Sequence, residues 1–200
     1  MLTVMSQLDA GELAVLNHIA DEVRETFGAR GHGVEVALGL DRAFRRNEIP
    51  RSALSRALVS DAVQVGASQA GGWCDTGAAV DIRMNAGRVF RLKRAQVTVD
   101  GDYRIVTNSA STWGEIDQEV LLAEEPWVFA YTLGENGIGA IFTAPVLSVT
   151  DGNPGVVILG AIMHLGTGTL PPTGAFRPDE DPGLPGFDAD EDEGLGFSVG

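Results

Sequence analysis

The sequence predicts an α+β fold: N-terminal helices packed on a mainly antiparallel sheet that ends in a three-stranded meander, followed by a disordered acidic tail. Three observations predict it. Apolar residues recur at three- and four-residue spacing through the first third of the chain, the period moves toward two after Val80, and proline and acids replace the apolar runs after Leu170. The chain is accordingly divided into a helical segment, residues 1–66, a β-rich segment of the same domain, 67–170, and the tail, 171–200. Two hundred residues, 44% of them hydrophobic, suffice for one well-buried domain with an extension.

The first helix opens on Asp9-Ala10-Gly11-Glu12, a capping box in which each acidic side chain satisfies an orphan backbone amide of the helix start. Leu13, Leu16, Ala20, Val23 and Phe27, with Ile19 beside them, form one apolar stripe, and the glycines between Gly28 and Gly33 end it. A second helix is expected over Val34 to Asn47, apolar through Val36, Leu40 and Phe44, and closed by Glu48-Ile49-Pro50 because the residue before proline avoids helical dihedrals. A third runs from Arg51 or Ser52 to Gln64 with Leu54, Leu58, Val59 and Ala62 inward. The small residues from Gly66 to Ala79 are read as a loop around Trp73-Cys74-Asp75.

The sheet is expected to begin at Val80. Phe90 and Leu92 fall inward at even positions and Val97 and Val99 at odd ones, which implies a bulge or break near Arg94-Ala95. Asp100-Gly101 makes a turn into a strand through Tyr103, Ile105 and Thr107. Thr112-Trp113-Gly114-Glu115 repeats the capping-box pattern and opens a short helix that stops before Pro126. Trp127, Phe129, Tyr131 and Leu133 alternate with Val128, Ala130 and Thr132, so both faces are apolar and the segment reads as an interior strand. Asn136-Gly137 marks a hairpin, because both residues tolerate positive φ. The return strand, Ile138 to Val149, is expected to set Leu133 opposite Ile138, Tyr131 opposite Ala140, Phe129 opposite Phe142 and Trp127 opposite Ala144. A third strand follows from Val156 through Ile162 to Leu165.

Charge narrows the function. The net charge is −14, and residues 171–200 hold eight acids against Arg177 alone, half of the excess. Such a chain repels phosphate backbones at long range, which disfavours generic nucleic-acid binding. Cys74 is the single cysteine, so no intramolecular disulfide exists. The first residues lack a basic stretch and a long apolar run, so no signal peptide is read there, and a cytoplasmic location is expected. Thirteen arginines against Lys93 alone point by codon bias to a high-GC bacterium or its phage.

Four sets of residues carry candidate chemistry. Cys74 in its glycine-flanked loop is a nucleophile only if a base lies near, and His18, His32 and His164 are not spaced to select one; a semi-buried thiol anchoring the loop is the plainer reading. Asp81 and Lys93 invite a hydrolase or nuclease reading, but Arg91 stands where such a site needs a metal-binding acid. One cysteine and three scattered histidines make no zinc site, and no cofactor motif is present. The fourth set is a basic island, Arg42, Arg45, Arg46, Arg51 and Arg56 against Glu48, in an otherwise acidic chain. Two helices flanking Asn47 to Pro50 also outline a helix-turn-helix, which would present Arg51, Ser52, Ser55 and Arg56 to DNA. A second basic group, Arg88, Arg91, Lys93 and Arg94, lies on a strand.

The tail complements the island: Phe176, Leu184, Phe187, Leu195 and Phe197 are spaced among acids such as Asp190 and Glu191, a pattern suited to docking on a basic, partly apolar groove. The sequence thus points to a non-catalytic regulatory or interaction protein that engages a macromolecular partner, foremost another protein, through Arg42, Arg45, Arg46, Arg51, Arg56 and the Phe187–Asp190–Glu191 region. A DNA-binding regulator and a hydrolase or nuclease are the alternatives.

Overall fold

The computed structural model describes residues 7–76, 80–85, 87–107, 126–134, 137–150 and 154–166. The chain divides into two units, Met1–Leu170 and Pro171–Gly200, and every described residue belongs to the first. The expected helix after Thr112 and the acidic tail lie outside the described residues.

The architecture is α+β, with the helices first in the chain. Helix α1 (Ala10–Arg30) starts on the capping box: the Glu12 amide donates to the Asp9 carboxylate at 2.7 Å, and the Asp9 amide donates to Glu12 at 3.1 Å. Glu12 is buried and also pairs with Arg88, whose guanidinium lies 5.4 Å from the Trp127 ring centroid. One cap residue therefore ties the helix start to the sheet. The predicted stripe of Leu16, Ile19, Ala20, Val23 and Phe27 is buried.

Helix α2 (His32–Gly39) follows α1 through Gly31 and is shorter than expected. It ends at Gly39, and the chain continues into a 3-10 helix, Arg42–Arg45, capped by Asp41. The inward positions are Val34 and Leu38, whereas Val36, Leu40 and Phe44 face solvent. Those three share a helical period, but a period does not say which way its stripe points. Helix α3 (Ile49–Gln69) is longer than expected at both ends. Pro50 does not close the preceding helix but occupies the first turn of α3, where its missing amide donor costs nothing. At the other end the helix runs through Gly66, where a Cβ would lie 3.0 Å from Ile19 Cα. Glycine there lets α1 and α3 approach closely, and the first residues of the expected loop, 66–69, are the last turn of a packed helix.

Among the described residues the sheet has eight strands. β1 (Trp73–Asp75), β2 (Asp81–Arg83) and β3 (Val89–Val97) form an antiparallel edge, and β1 begins the sheet before the expected Val80. β4 (Tyr103–Thr107) returns through the turn at Asp100-Gly101, with Gly101 at φ +87°. β5 (Trp127–Gly134), β6 (Gly137–Val149) and β7 (Gly155–Leu159) make the predicted meander. The third strand does not continue to Leu165; it breaks after Leu159, and β8 (Met163–His164) pairs with β6 separately.

The pairing not foreseen in the sequence is parallel: β3 runs beside β5 from Phe90↔Trp127 to Ala95↔Thr132. With the order β3-β4-β7-β6-β5 this closes five strands into a ring. The register is unbroken to Ala95 and β3 runs on to Val97, so the bulge or break expected near Arg94-Ala95 is absent. The apparent phase change has another cause. Phe90 and Leu92 face the helices while Ala95 faces the ring interior, and Val97 and Val99, expected inward, are exposed beyond it.

Two apolar clusters result. One joins α1 and α3 to Ile82, Phe90, Leu92, Trp127, Phe129, Tyr131 and Ile141. The other fills the ring, with contributions from all five strands: Ala95, Ile105, Val128, Ala130, Phe142, Ala144, Val146 and Val157. β5 separates them and is buried on both faces from Trp127 to Thr132, as its sequence requires.

A real bulge lies between β5 and β6. Leu133 meets Ile138 as expected, but Tyr131 meets Ile141, so Phe129 pairs with Thr143 and Trp127 with Pro145. Gly139 and Ala140 together oppose Thr132, whose hydroxyl accepts the Ala140 amide at 2.8 Å. A Cβ on Gly139 would come within 2.5 Å of that hydroxyl, so glycine is required opposite it. Arg24 of α1 donates to the Gly139 carbonyl at 3.2 Å and to the Leu165 carbonyl at 2.9 Å, pinning the bulge to the helix layer.

Candidate partner-binding surface

The basic island does not form one face. Arg42, Arg45 and Arg46 lie on and just after the 3-10 helix, all exposed, with the Arg45 guanidinium against Gly39 at the end of α2. Arg51 pairs with Glu35 of α2 at 2.7 Å. Arg56 sits about 200° around α3 from Leu54, on the side turned toward β3. There it is close enough to Lys93 and Tyr131 to act on the ionisation of both.

Folding thus brings part of the strand-borne basic group to the island. Arg94 donates to the Ser52 hydroxyl at 2.9 Å. Burial pushes the Lys93 ammonium below its usual range, Arg91 and Arg56 push the same way, and Asp81 opposes them. Of the residues a helix-turn-helix would turn outward, Ser55 is buried, Ser52 is engaged by Arg94, and Arg51 is held by Glu35. Arg88 is at the far end of β3 with Glu12.

The candidate catalytic residues are also accounted for. Asp81 receives two hydrogen bonds from Arg91, at 3.0 and 3.3 Å, so the arginine in the place of a metal-binding acid neutralises the carboxylate. Cys74 is half-buried with its sulfur 3.7 Å from the Val63 carbonyl, and burial, assisted by the Asp81 charge, pushes the thiol up to about 11. It is a protonated anchor of β1 on α3 at neutral pH. His18 bonds Gln69 at the surface, and His164 lies edge-on to Tyr103 and Phe142. Among the described residues no group of three or more histidine, cysteine or acidic side chains is placed to hold a metal ion. Phe187, Asp190 and Glu191 lie outside the described residues.

Beside the island the helices form an open groove of about 420 Å³, lined by Arg30, Gly33, Val34, Leu54, Ala57, Leu58 and Asp61. Its floor is apolar. Arg30 at the end of α1 pairs with Asp61 of α3 across one end at 2.6 Å, and Glu35 of α2 pairs with Arg51 of α3 further along. Gly33 leaves open space where a side chain would intrude. No family model, curated protein or solved structure matches this chain. The surface is therefore read from its own chemistry.

That chemistry is mixed. Leu40 is 79% exposed, Ile49 74%, Val36 62% and Phe44 45%, and these residues alternate with Arg42, Arg45 and Arg46. Val36 and Leu40 share the face of α2 that carries Gly33, so the exposed apolar residues run up to the groove wall. The sequence reading missed the groove because its floor comes from different helices. The visible signal was the spacing of Leu54, Leu58 and Asp61 on one stripe of α3, which resembled a core stripe.

Proposed function

We propose that this chain is a non-catalytic interaction protein that regulates or recruits a macromolecular partner through the surface formed by α2, the 3-10 helix and the first half of α3. The observation that carries the reading is the clustering of exposed Val36, Leu40, Phe44 and Ile49 among exposed arginines. Large apolar side chains left in water together, with cations interspersed, are characteristic of binding surfaces. Arg51 holds α2 to α3 through Glu35 and so fixes the shape of this surface. Two further observations support a non-catalytic role: the Cys74 thiol holds its proton, and Asp81 is committed to Arg91.

The test compares the full chain with the Leu40→Asp, Ile49→Asp double variant, both immobilised, in extract of the native host. Both positions are exposed, so the variant is expected to fold with an unchanged far-ultraviolet circular dichroism spectrum. A macromolecule retained by the wild type and lost from the variant is the expected result. Identical retention on both overturns the proposal.

A further inference from the structure

Resting on that reading, we infer that the occupant of the α2–α3 groove is an acidic polypeptide segment carrying large apolar side chains, supplied by another molecule. Three features select it. The groove floor of Val34, Leu54, Ala57 and Leu58 offers apolar contact but no base-edge donors or acceptors, and a volume of about 420 Å³ suits side chains entering from a peptide. The cations stand outside the floor: Arg42 and Arg45 are exposed on the 3-10 helix that follows α2, with Arg46 directly after it, while Arg51 is paired with Glu35. This is the order in which an amphipathic acidic segment presents its groups, apolar residues into the groove and carboxylates toward its rim.

The charge distribution favours the same ligand. In a chain of net charge −14, Arg42, Arg45 and Arg46 are exposed together, whereas Arg51 is paired with Glu35 and Arg56 turns toward β3, so the local positive field comes from the first three. The chain as a whole repels an anionic bilayer or a duplex at long range, whereas a short acidic segment meets only the local positive field. A duplex leaves exposed Leu40 and Ile49 without apolar partners. A bilayer reaches protruding side chains but not a groove floor lying between two helices.

A peptide with the sequence of residues 176–197 is a suitable probe, because it carries eight acids with Phe176, Leu184, Phe187, Leu195 and Phe197. Labelled with fluorescein, it is titrated with the full-length protein and followed by anisotropy. A second peptide with those five residues replaced by serine is the control. The expected dissociation constant is on the order of 10–100 μM, typical of a short segment, and about tenfold weaker for the serine peptide. Ala57→Phe, which fills the groove from an exposed position, and the triple variant Arg42→Glu, Arg45→Glu, Arg46→Glu, which leaves the groove open, each abolish binding. No binding of either peptide, equal binding of both, or binding unaffected by Ala57→Phe overturns the inference. So does retention of mixed-sequence duplex or of phosphatidylserine vesicles in place of the peptide. Persistence of the Leu40- and Ile49-dependent retention from extract in any of these cases leaves the interaction function standing with a different partner.

Discussion

At the scale of single residues, the side chains that most resemble catalytic groups are the ones the fold has neutralised. Cys74 is the clearest case. Burial disfavours the thiolate, and the Asp81 carboxylate disfavours it further, so the folded chain keeps this proton to higher pH than the unfolded chain does. The stabilisation linked to the protonated thiol is complete below the ordinary value of 9.0 and is lost as pH rises through about 11. Alkylation by iodoacetamide is therefore expected to follow a midpoint near 11, with slow reaction at neutral pH; a midpoint at the ordinary thiol value disproves the buried environment. The half-buried thiol expected of Cys74 is present, but it sits on β1 against α3 instead of in a loop, and Trp73 beside it is exposed. The role of Arg91 was half legible. Its charge argued against a metal site, but only the register of β2 on β3 shows that it closes on Asp81.

Among the elements, those written in local chemistry were legible and those set by distant partners were not. The start of α1 could be read from Asp9 and Glu12 because a capping box is complete within four residues. The β5–β6 hairpin could be read from its turn, but its register could not, because the bulge depends on a hydroxyl meeting a glycine seven positions further along. This contact yields a prediction. Gly139→Ala drives a methyl into the Thr132 hydroxyl and costs about 1–3 kcal/mol in urea unfolding. In a Thr132→Ala background the added cost of Gly139→Ala falls, a non-additivity expected of two groups in contact. Full additivity disproves the bulge geometry. The end of α2 was misjudged for a different reason. Val36, Leu40 and Phe44 have the spacing of a buried stripe, and nothing local distinguishes burial against this chain from burial against another molecule. The error is itself informative, since the stripe mistaken for core is the surface assigned to the partner.

For the whole molecule, the least legible feature was closure. β3 and β5 are separated in sequence by the turn to β4 and by residues outside the described set, and parallel pairing carries no turn signal. Without it the β-rich segment reads as an open sheet. With it, the strands have two cores, one under the helices and one inside the ring. Protection from hydrogen exchange is expected to follow this layout. Amides of Phe129 to Tyr131, on a strand buried on both faces, exchange only by global unfolding, whereas those of α2 and the 3-10 helix exchange orders of magnitude faster. Equal protection of β5 and α2 contradicts the layout. The contrast also suits the proposed function: the proposed surface is on the least buried helices, and adjusting them to a ligand would leave both cores undisturbed.

β3 turns Phe90 and Leu92 to one core and Ala95 to the other, so a single nine-residue strand is a party wall. Neither neighbour keeps its enclosure if the wall is removed. A chain cut short before residue 89 lacks the wall and is expected to yield no half-molecule with a finished interior.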